Sequence, residues 1–307
     1  MRIIFHLGTY KTGTTSFQDA LFNNRDLLLE HGILHPNTGL TNEKNLGHRH
    51  TLLIRNFALG KDDACPNALL DELNASNART AIISSEAWSN PGSLSHLTRL
   101  VTVLEENGYN DCAGFLSLRN LADYQVSHYR EFTVNRSNGQ NYQNYIQGRA
   151  GMFDYLFLVR SFRSIFGSRF FALPFDASSD MTADLFKAMG FESLCKQMKQ
   201  VDRANVRSAT PLEVEAMRCA NLKKRPQIDG LSALSSIIAV NSDIATENWT
   251  ERFIGDTPAF TSTYRRNLQN AANWSESDIE ALLHQDEPQG RNVREVRKLI
   301  IDELQNG

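Results

Sequence analysis

The residues best suited to chemistry lie near the start of the chain, in a glycine-bounded segment that follows a short apolar run. The apolar run covers residues 3–7, the segment runs from Gly8 to Gly13, and a helical pattern begins directly after it. This order predicts a strand, a tight loop and the start of a helix. Backbone N–H groups at a helix N-terminus lack partners within their own helix, and the helix dipole adds partial positive charge there. The segment therefore predicts an anion-binding loop, for which phosphate is a natural ligand.

The lysine of this loop is not where a nucleotide triphosphatase would carry it. Gly8 and Gly13 have the triphosphatase spacing, but the position after the second glycine, normally lysine, is Thr14, and Thr15 follows. The nearby lysine is Lys11, inside the loop. Lys11 must therefore approach a bound anion from the crest of the loop, near a bond being broken. The alternative is a purely structural turn, in which the glycines only supply positive φ.

The composition is that of an ordinary globular protein. The chain has 307 residues, 41% of them hydrophobic, which is enough to bury a substantial core in one large α/β domain or two smaller ones. A net charge of −3 gives no general signal for nucleic-acid binding. No run of 18 apolar residues exists, so we expect no membrane span. The sequence leaves the oligomeric state open.

Cysteine usage and the N-terminus favour a cytoplasmic location. The four cysteines show no C-x-x-C spacing, which is typical of reduced thiols and does not indicate a disulfide framework or a zinc site. The N-terminal apolar run is too short for a signal peptide and leads straight into the loop. We therefore expect a cytoplasmic protein without a bound metal.

Alternating strand and helix patterns predict a parallel sheet flanked by helices, an α/β fold of the P-loop type. Helical segments are predicted over 14–30, 93–107, 121–134, 151–166 and 180–189. After residue 200 strand patterns cease, and helices are predicted over 211–224, 231–240, 259–272, 276–284 and 292–304. We expect an α/β core over 1–200 and a helical C-terminal cap over 201–307, which need not be an independent domain.

Three predicted strands end in side chains that can do chemistry. The first strand leads into the loop at 8–15, the second ends in Ser84-Ser85-Glu86, and the third ends at Arg119. Ligands of open α/β sheets bind at the carboxyl ends of the strands, so these features are expected to converge. Arginine grips phosphate with a planar fork of donors, and Ser127, eight residues further on, would add a hydroxyl from the next helix.

Three segments resemble the PAPS-dependent sulfotransferases, particularly those of the bacterial and carbohydrate-acting type; PAPS is 3′-phosphoadenylyl sulfate. Residues 7–15 are similar to the loop of that family that binds the 5′-phosphosulfate, usually P-K-[ST]-G-T-T. Residues 119–127 are similar to its 3′-phosphate element, an arginine followed by a serine eight positions later. Residues 153–176 resemble a later helix and strand of the family.

The chain also departs from the pattern of that family. Tyr10 stands where proline is usual, and Asn120-Leu121 replaces the common acidic-proline pair, which leaves the start of the following helix uncertain. The resemblance covers about residues 1–190, and no C-terminal basic loop of the R-K-G type is evident.

The resemblance implies in-line, metal-independent transfer of a sulfuryl group from PAPS to a hydroxyl or amine, which leaves adenosine 3′,5′-bisphosphate (PAP). It implies that Lys11 stabilises charge on the departing phosphate. The acceptor is expected to be a small molecule or a carbohydrate, and the sequence does not identify it further. The cofactor-binding residues that the resemblance implies are Lys11, Thr12, Gly13, Thr14, Thr15, Ser16, Arg119 and Ser127.

The acceptor hydroxyl needs a base, for which the sequence offers competing candidates. Glu86 ends a predicted strand and resembles the glutamate base of sulfotransferases that act on carbohydrate or protein tyrosine. His48 and His50 compete with it, because histidine is a common proton acceptor near neutral pH. His6 lies inside the first predicted strand and is expected to be a satisfied core residue.

Two other classes of function stay open at this point. One is a small-molecule kinase that uses ATP on a similar loop, which would be expected to carry a helix-side lysine. The other is a protein that keeps the nucleotide-binding loop without catalysis.

Overall fold

The computed structural model of the chain describes residues 1–41, 48–58, 64–175, 180–199, 209, 211–222, 266–267, 269–270 and 275–283. Its central element is a five-stranded, fully parallel sheet with the order β2-β3-β1-β4-β5. The strands are β1 (Arg2–His6), β2 (Ile33–Leu34), β3 (Thr80–Ser84), β4 (Cys112–Leu118) and β5 (Phe170–Pro174). The predicted α/β fold with a parallel sheet flanked by helices is confirmed.

Helices connect and cover the strands. In chain order they are α1 (Thr14–Asn23), α2 (Arg25–Glu30), α3 (Thr51–Ala58), α4 (Ala64–Ala75), α5 (Leu94–Glu106), α6 (Leu121–Asn135), α7 (Tyr142–Gln147), α8 (Ala150–Phe153), α9 (Tyr155–Phe166), α10 (Met181–Ala188), α11 (Glu192–Cys195), α12 (Pro211–Leu222) and α13 (Glu276–Leu283). Short 3₁₀ turns cover Glu86–Ser89, Pro91–Ser93 and Gly167–Arg169. No helix within these described ranges is long and apolar enough to cross a membrane.

Apolar side chains cover both faces of the sheet, as expected for parallel strands. One face packs under α1 and α10, where buried side chains include Ile4, Phe17, Phe115 and Leu185. On the opposite face Phe5 lies between the rings of Trp88 and Phe166, with centroid distances of 6.3 and 5.6 Å. Because β1 is the central strand and is buried on both faces, its carboxyl end is held rigidly.

The segment predicted as one helix over 14–30 is two helices that meet at Asn24. The backbone of Asn24 leaves the helical region, and its side chain donates to Ala20 O at 2.9 Å. The same side chain accepts a hydrogen bond from the Lys199 backbone N–H at 2.8 Å. A tertiary contact to a residue far along the chain therefore accompanies the end of α1.

Contacts divide the chain into two units. The first comprises 1–119, 154–204 and 262–282 and holds the whole sheet; the second comprises 120–153, 205–261 and 283–307. Within the second unit α12 packs on α6, and Asn221 Nδ2 donates to Thr133 O and Asn138 O at 2.8 and 2.9 Å. The predicted boundary between residues 200 and 201 stays a prediction.

The described part of the C-terminal region is helical in α12 and α13, as predicted. The helices predicted over 231–240 and 292–304 lie outside the described residues, as does most of 259–272. Sequence patterns missed α7, whose buried side chains are two tyrosines and Ile146. They also joined α8 to α9 across Asp154, whose side chain caps α9 by accepting from the Phe157 N–H at 3.0 Å.

Two buried histidines lie where the loop before α3 meets β3. His50 accepts a hydrogen bond from the Ser84 N–H at its Nδ1 (3.0 Å), and its Nε2 lies 3.0 Å from Pro36 O, to which it donates. The ring of His35 packs edge-on against His50 with 4.9 Å between centroids. Burial lowers the pKa of His50 to about 4, and burial together with the neighbouring His50 lowers the pKa of His35 well below 6.5.

These lowered pKa values predict that acidification destabilises the protein above the range where carboxylates titrate. In the unfolded chain both histidines protonate near pH 6.5, whereas in the native state they stay neutral, so the unfolded state binds more protons as the pH falls. The free energy of unfolding should drop by about 2 kcal/mol per histidine between pH 7 and pH 5. Urea denaturation at a series of pH values measures this drop.

A matched pair of variants tests the origin of the drop. His50→Gln should make the drop smaller by about 2 kcal/mol, the contribution of one histidine, whereas His31→Gln, at an exposed position, should leave it unchanged. An equally steep dependence in His50→Gln and wild type would show that His50 does not contribute.

Candidate functional site

The loops that follow β1 and β4 meet at the carboxyl edge of the sheet. The chain moves from β1 toward β3 and β2 on one side, and from β4 toward β5 on the other, so the boundary between β1 and β4 is the switch point where open α/β sheets bind ligands. Thr9 joins the loop after β1 to the end of β4, since its backbone N–H and its Oγ1 both donate to Ser117 O, at 3.4 and 3.0 Å. Two of the three predicted strand-end features are therefore adjacent.

The loop from Gly8 to Gly13 has three residues at positive φ. Gly8, Lys11 and Gly13 have φ of 36°, 67° and 71°. A Cβ on Gly8 would lie only 2.7 Å from Thr14 Cγ2, so glycine is required there by close approach as well as by φ. Thr12 closes the loop from inside, because its buried hydroxyl donates to Thr9 O at 2.7 Å. The result is a tight, preformed loop.

The loop leads directly into α1, whose N-terminus has no side-chain cap. Gly13 is the N-cap residue in left-handed conformation, and the first backbone bonds are those of the Ser16 and Phe17 N–H groups to Gly13 O, at 3.1 and 3.4 Å. The amides before Ser16 consequently have no acceptor within the helix. The N-cap residue is glycine, so it offers no side chain to cap the helix, and the Thr14 hydroxyl donates to Glu86. This end of α1 therefore keeps uncapped backbone donors, and the anion site expected there stays a prediction.

Two cations lie at the crest of the loop. Lys11 is exposed, and its positive φ is uncommon for a residue other than glycine and costs conformational energy. Arg119, at the end of β4, donates from Nη1 to Lys11 O at 3.2 Å, and its guanidinium lies 5.6 Å from the centre of the Phe175 ring. Tyr155 Oη donates to Arg119 O at 2.8 Å and fixes the backbone there. The structure thus brings Lys11 and Arg119 together.

Glu86 is buried directly behind the start of α1. Its Oε1 accepts from Thr14 Oγ1 at 3.0 Å and lies 3.2 Å from Arg49 Nη1, while its Oε2 accepts from Gln18 Nε2 at 3.1 Å. The residue is 3% exposed. Because a carboxylate offers about four acceptor positions, these three contacts leave room for about one more hydrogen bond. Glu86 is therefore adjacent to the loop, and most of its hydrogen-bonding capacity is used by these three contacts.

The two histidines proposed as competing bases have different surroundings. Both ring nitrogens of His50 bond to backbone groups, so His50 has no nitrogen left for an acceptor hydroxyl, and the structure removes it as a candidate. His48 is half-buried and stacks flat on Phe22 with 3.5 Å between ring centroids. His48 precedes Arg49 directly and stays a candidate.

The remaining predicted residues have distinct positions. Thr15 is exposed and Ser16 half-exposed on the first turn of α1, beside the loop. Ser127 lies on α6, in the second unit, where it is buried and its Oγ has no hydrogen-bond partner among the described residues. Asn120 settles the start of α6, since its side chain accepts from the Asp123 N–H at 3.2 Å as an N-cap. The pairing of Ser127 with Arg119 stays a prediction.

Sequence reasoning missed three residues that support the loop. Gln18 and Arg49 hold Glu86, and the Ser89 hydroxyl bonds to Leu7 O, at 3.0 Å, and to Gly8 O. Gln18 carried a usable signal, because it lies four residues after Thr14 and so shares its helix face. Arg49 and Ser89 carried none. Among the described residues no group of three or more His, Cys, Asp or Glu side chains is arranged to hold a metal ion.

Comparison with known proteins gives little beyond this geometry. No protein-family model matches the chain, and no curated protein matches it. Among solved structures, a sulfotransferase from Alicyclobacillus acidocaldarius is similar over 93% of this chain and 97% of its own, with 14% identity and a TM-score of 0.38. A TM-score this low does not establish a relationship between the two proteins.

Proposed function

We propose that the protein is a PAPS-dependent sulfotransferase. The observation that carries the proposal is Lys11, held at positive φ on the crest of an anion-binding loop whose helix-side position is a threonine already bonded to Glu86. A cation at the crest is suited to neutralise a leaving group. It is not in the place where a triphosphatase lysine clamps the outer phosphates of a nucleotide.

The residues of the site fit the cofactor. The amides at the start of α1 and the glycine-walled loop suit a 5′-phosphate; the backbone N–H groups of Thr12, Gly13, Thr14 and Thr15 and the hydroxyls of Thr15 and Ser16 would contact it. The guanidinium of Arg119 and the hydroxyl of Ser127 would hold the 3′-phosphate. When bound, PAPS would supply an activated sulfuryl group and a phosphate leaving group.

Lys11 would act by charge stabilisation. Its ammonium group would lie beside the oxygen that gains negative charge when the sulfur–oxygen bond breaks, and a preorganised cation lowers the barrier most when it need not move. The bond from Arg119 to Lys11 O and the closure of the loop by Thr12 restrict the backbone that carries the ammonium group. The backbone that carries the Lys11 side chain is therefore restricted by contacts within the chain.

Glu86 is the proposed base for the acceptor hydroxyl. It is next to the loop, it has capacity for about one further hydrogen bond, and its other contacts fix its orientation. His48 is the alternative, on the segment that carries Arg49. The acceptor is proposed to be a small molecule or a carbohydrate, and a cytoplasmic location is part of the same proposal.

Ligand-induced stabilisation tests the cofactor. PAP should raise the melting temperature by a few degrees when present at about 100 times its Kd, whereas ATP with Mg²⁺ should not. The reverse result would favour the kinase, and binding of PAP without transfer to any acceptor would favour a nucleotide-binding protein without catalysis.

Arg119→Ala should weaken PAP binding by about tenfold or more, because it removes charged hydrogen bonds to the 3′-phosphate. It should affect AMP, which lacks that phosphate, far less. Isothermal titration calorimetry measures both ligands, with Arg160→Ala, an exposed arginine on α9, as the matched control. Unchanged PAP affinity in Arg119→Ala would refute the 3′-phosphate assignment.

Lys11→Ala should reduce turnover by about 100-fold or more while changing PAP affinity much less, because its main role is in the transition state. Turnover is measured with isotopically labelled PAPS and an acceptor identified from a panel of sugars, lipids, peptides and phenols by mass spectrometry. Lys196→Ala, at an exposed position after α11, is the control and should behave as wild type. Comparable losses in both variants would show that Lys11 has no special role.

Glu86→Gln should slow transfer by about 100-fold, since glutamine cannot take up the proton, and should weaken PAP binding far less than it slows transfer. His48→Gln should retain most of the activity. The same labelled-PAPS assay distinguishes the two, and full activity in Glu86→Gln together with a loss in His48→Gln would move the base to His48.

A further inference from the structure

His6 is the last residue of β1 and lies directly beneath the anion-binding loop. It is completely buried, and its ring packs edge-on against Phe17 of α1 with 4.7 Å between centroids. Its Cε1 and Nε2 both lie 3.3 Å from the position that a Cβ on Gly8 would occupy. The edge of the imidazole ring that carries Nε2 therefore faces the first residue of the loop.

Only one of the two ring nitrogens of His6 is satisfied. Nδ1 lies 2.7 Å from Ser84 Oγ, whereas Nε2 is buried and has no hydrogen-bond partner among the described residues. The expectation that His6 is a satisfied core residue is therefore only half correct. A buried polar atom without a partner is costly, and in a native structure it calls for an explanation, such as a bound water, an ion or a functional role.

The hydrogen-bond network around Glu86 assigns the tautomer of His6. The carboxylate of Glu86 can only accept, so Gln18 must direct its NH₂ group toward it; the same Nε2 donates to Ser84 Oγ at 3.3 Å. A serine hydroxyl accepts up to two hydrogen bonds and donates one; Ser84 Oγ accepts from Gln18, and the acceptor that its own proton finds among its hydrogen-bonded neighbours is His6 Nδ1. The proton of the ring is then on Nε2, so that the unsatisfied atom is a donor.

The imidazole is a neutral donor. Burial lowers the pKa of His6 to about 3, because the charged form would lose its hydration without a compensating carboxylate. The N–H group therefore persists through the whole neutral range. Its natural partner is an acceptor that enters the loop from outside the chain.

A second buried polar group, the hydroxyl of Ser117, lies on the same face of the sheet as His6. His6 is paired with Phe115 in the parallel register of β1 and β4, and Ser117, two residues further along β4, shares the face of Phe115. Ser117 is fully buried, and its Oγ has no partner in the described part of the chain. Its backbone carbonyl is the one that holds Thr9 of the loop.

We propose that His6 Nε2–H is a hydrogen-bond donor to the 5′-phosphate oxygens of the bound nucleotide, from below the loop whose amides contact them from above. This inference rests on the proposed function, because it takes the loop to be the 5′-phosphate site. It makes His6 a binding residue that Glu86 orients through Gln18 and Ser84. The ligand chemistry is a phosphate oxyanion, and the donor is insensitive to pH near neutrality.

A pair of variants with PAP as the probe tests this role. His6→Asn places a polar atom near the position of Nδ1, facing Ser84, and removes the atom beneath the loop; His6→Gln can extend an amide N–H to about the position of Nε2. His6→Asn should weaken PAP binding about tenfold, which is the loss expected for one hydrogen bond to a charged acceptor, and His6→Gln should recover part of the affinity.

A second ligand locates the contact. Adenosine 3′-phosphate lacks the 5′-phosphate, so its affinity should be the same in wild type and His6→Asn. Calorimetry on both ligands gives the coupling between His6 and the 5′-phosphate. Equal PAP affinity in wild type and His6→Asn would overturn the inference, whereas failure of wild type itself to bind PAP would overturn the proposed function instead.

Magnetic resonance on the wild-type protein covers the case in which the variants fold poorly. In ¹⁵N-histidine-labelled protein His6 should show a proton bound to Nε2 at pH 7, and PAP should shift that signal while adenosine 3′-phosphate leaves it in place. A proton on Nδ1, or a signal that PAP binding does not move, would overturn the inference.

Discussion

The ion pair between Arg49 and the buried carboxylate of Glu86 is the interaction on which the site depends. An ionised group with 3% exposure is tolerated only if charge and hydrogen bonds replace its lost hydration. Arg49, Thr14 and Gln18 provide this replacement, at 3.2, 3.0 and 3.1 Å. Each contact also fixes a second feature of the site, because Thr14 begins α1, Gln18 lies one turn further on, and Arg49 belongs to the segment before α3. The carboxylate thus joins three parts of the chain.

Electrostatics at the loop follow from this arrangement. The N-cap residue of α1 is Gly13, so no side chain caps the amides at the start of the helix, and the Thr14 hydroxyl donates to Glu86 behind them. Lys11 and Arg119 add positive charge at the crest, in a chain whose net charge is −3. Negative charge is buried behind the helix start and positive charge is exposed in front of it. This separation is what an anion site needs, since the buried carboxylate is compensated locally by Arg49.

Much of the fold and the loop could be predicted because the relevant interactions are local. Apolar runs of strand length, glycine at positions of positive φ and helical periodicity identified β1, the loop, α1 and the parallel sheet. The predictions failed where distant residues take part. Asn24, at the end of α1, contacts the distant Lys199, and both nitrogens of His50 bond to backbone groups that sequence proximity does not reveal. The hydrogen bond at Nδ1 of His6 likewise depends on a distant residue, Ser84 in β3.

The sequence by itself determined the kind of site: a glycine-bounded loop with a lysine at its crest, at the carboxyl end of a parallel strand. These features depend on the intrinsic conformational preferences of glycine and on the periodicity of apolar residues, which need no distant partner. Only the tertiary structure decided how the neighbouring titratable groups are used. It bonded Glu86 to three side chains, bonded both nitrogens of His50 to the backbone, and left His6 Nε2 without a partner among the described residues. Charge state and hydrogen-bond capacity depend on burial and on partners that folding brings from other strands and loops.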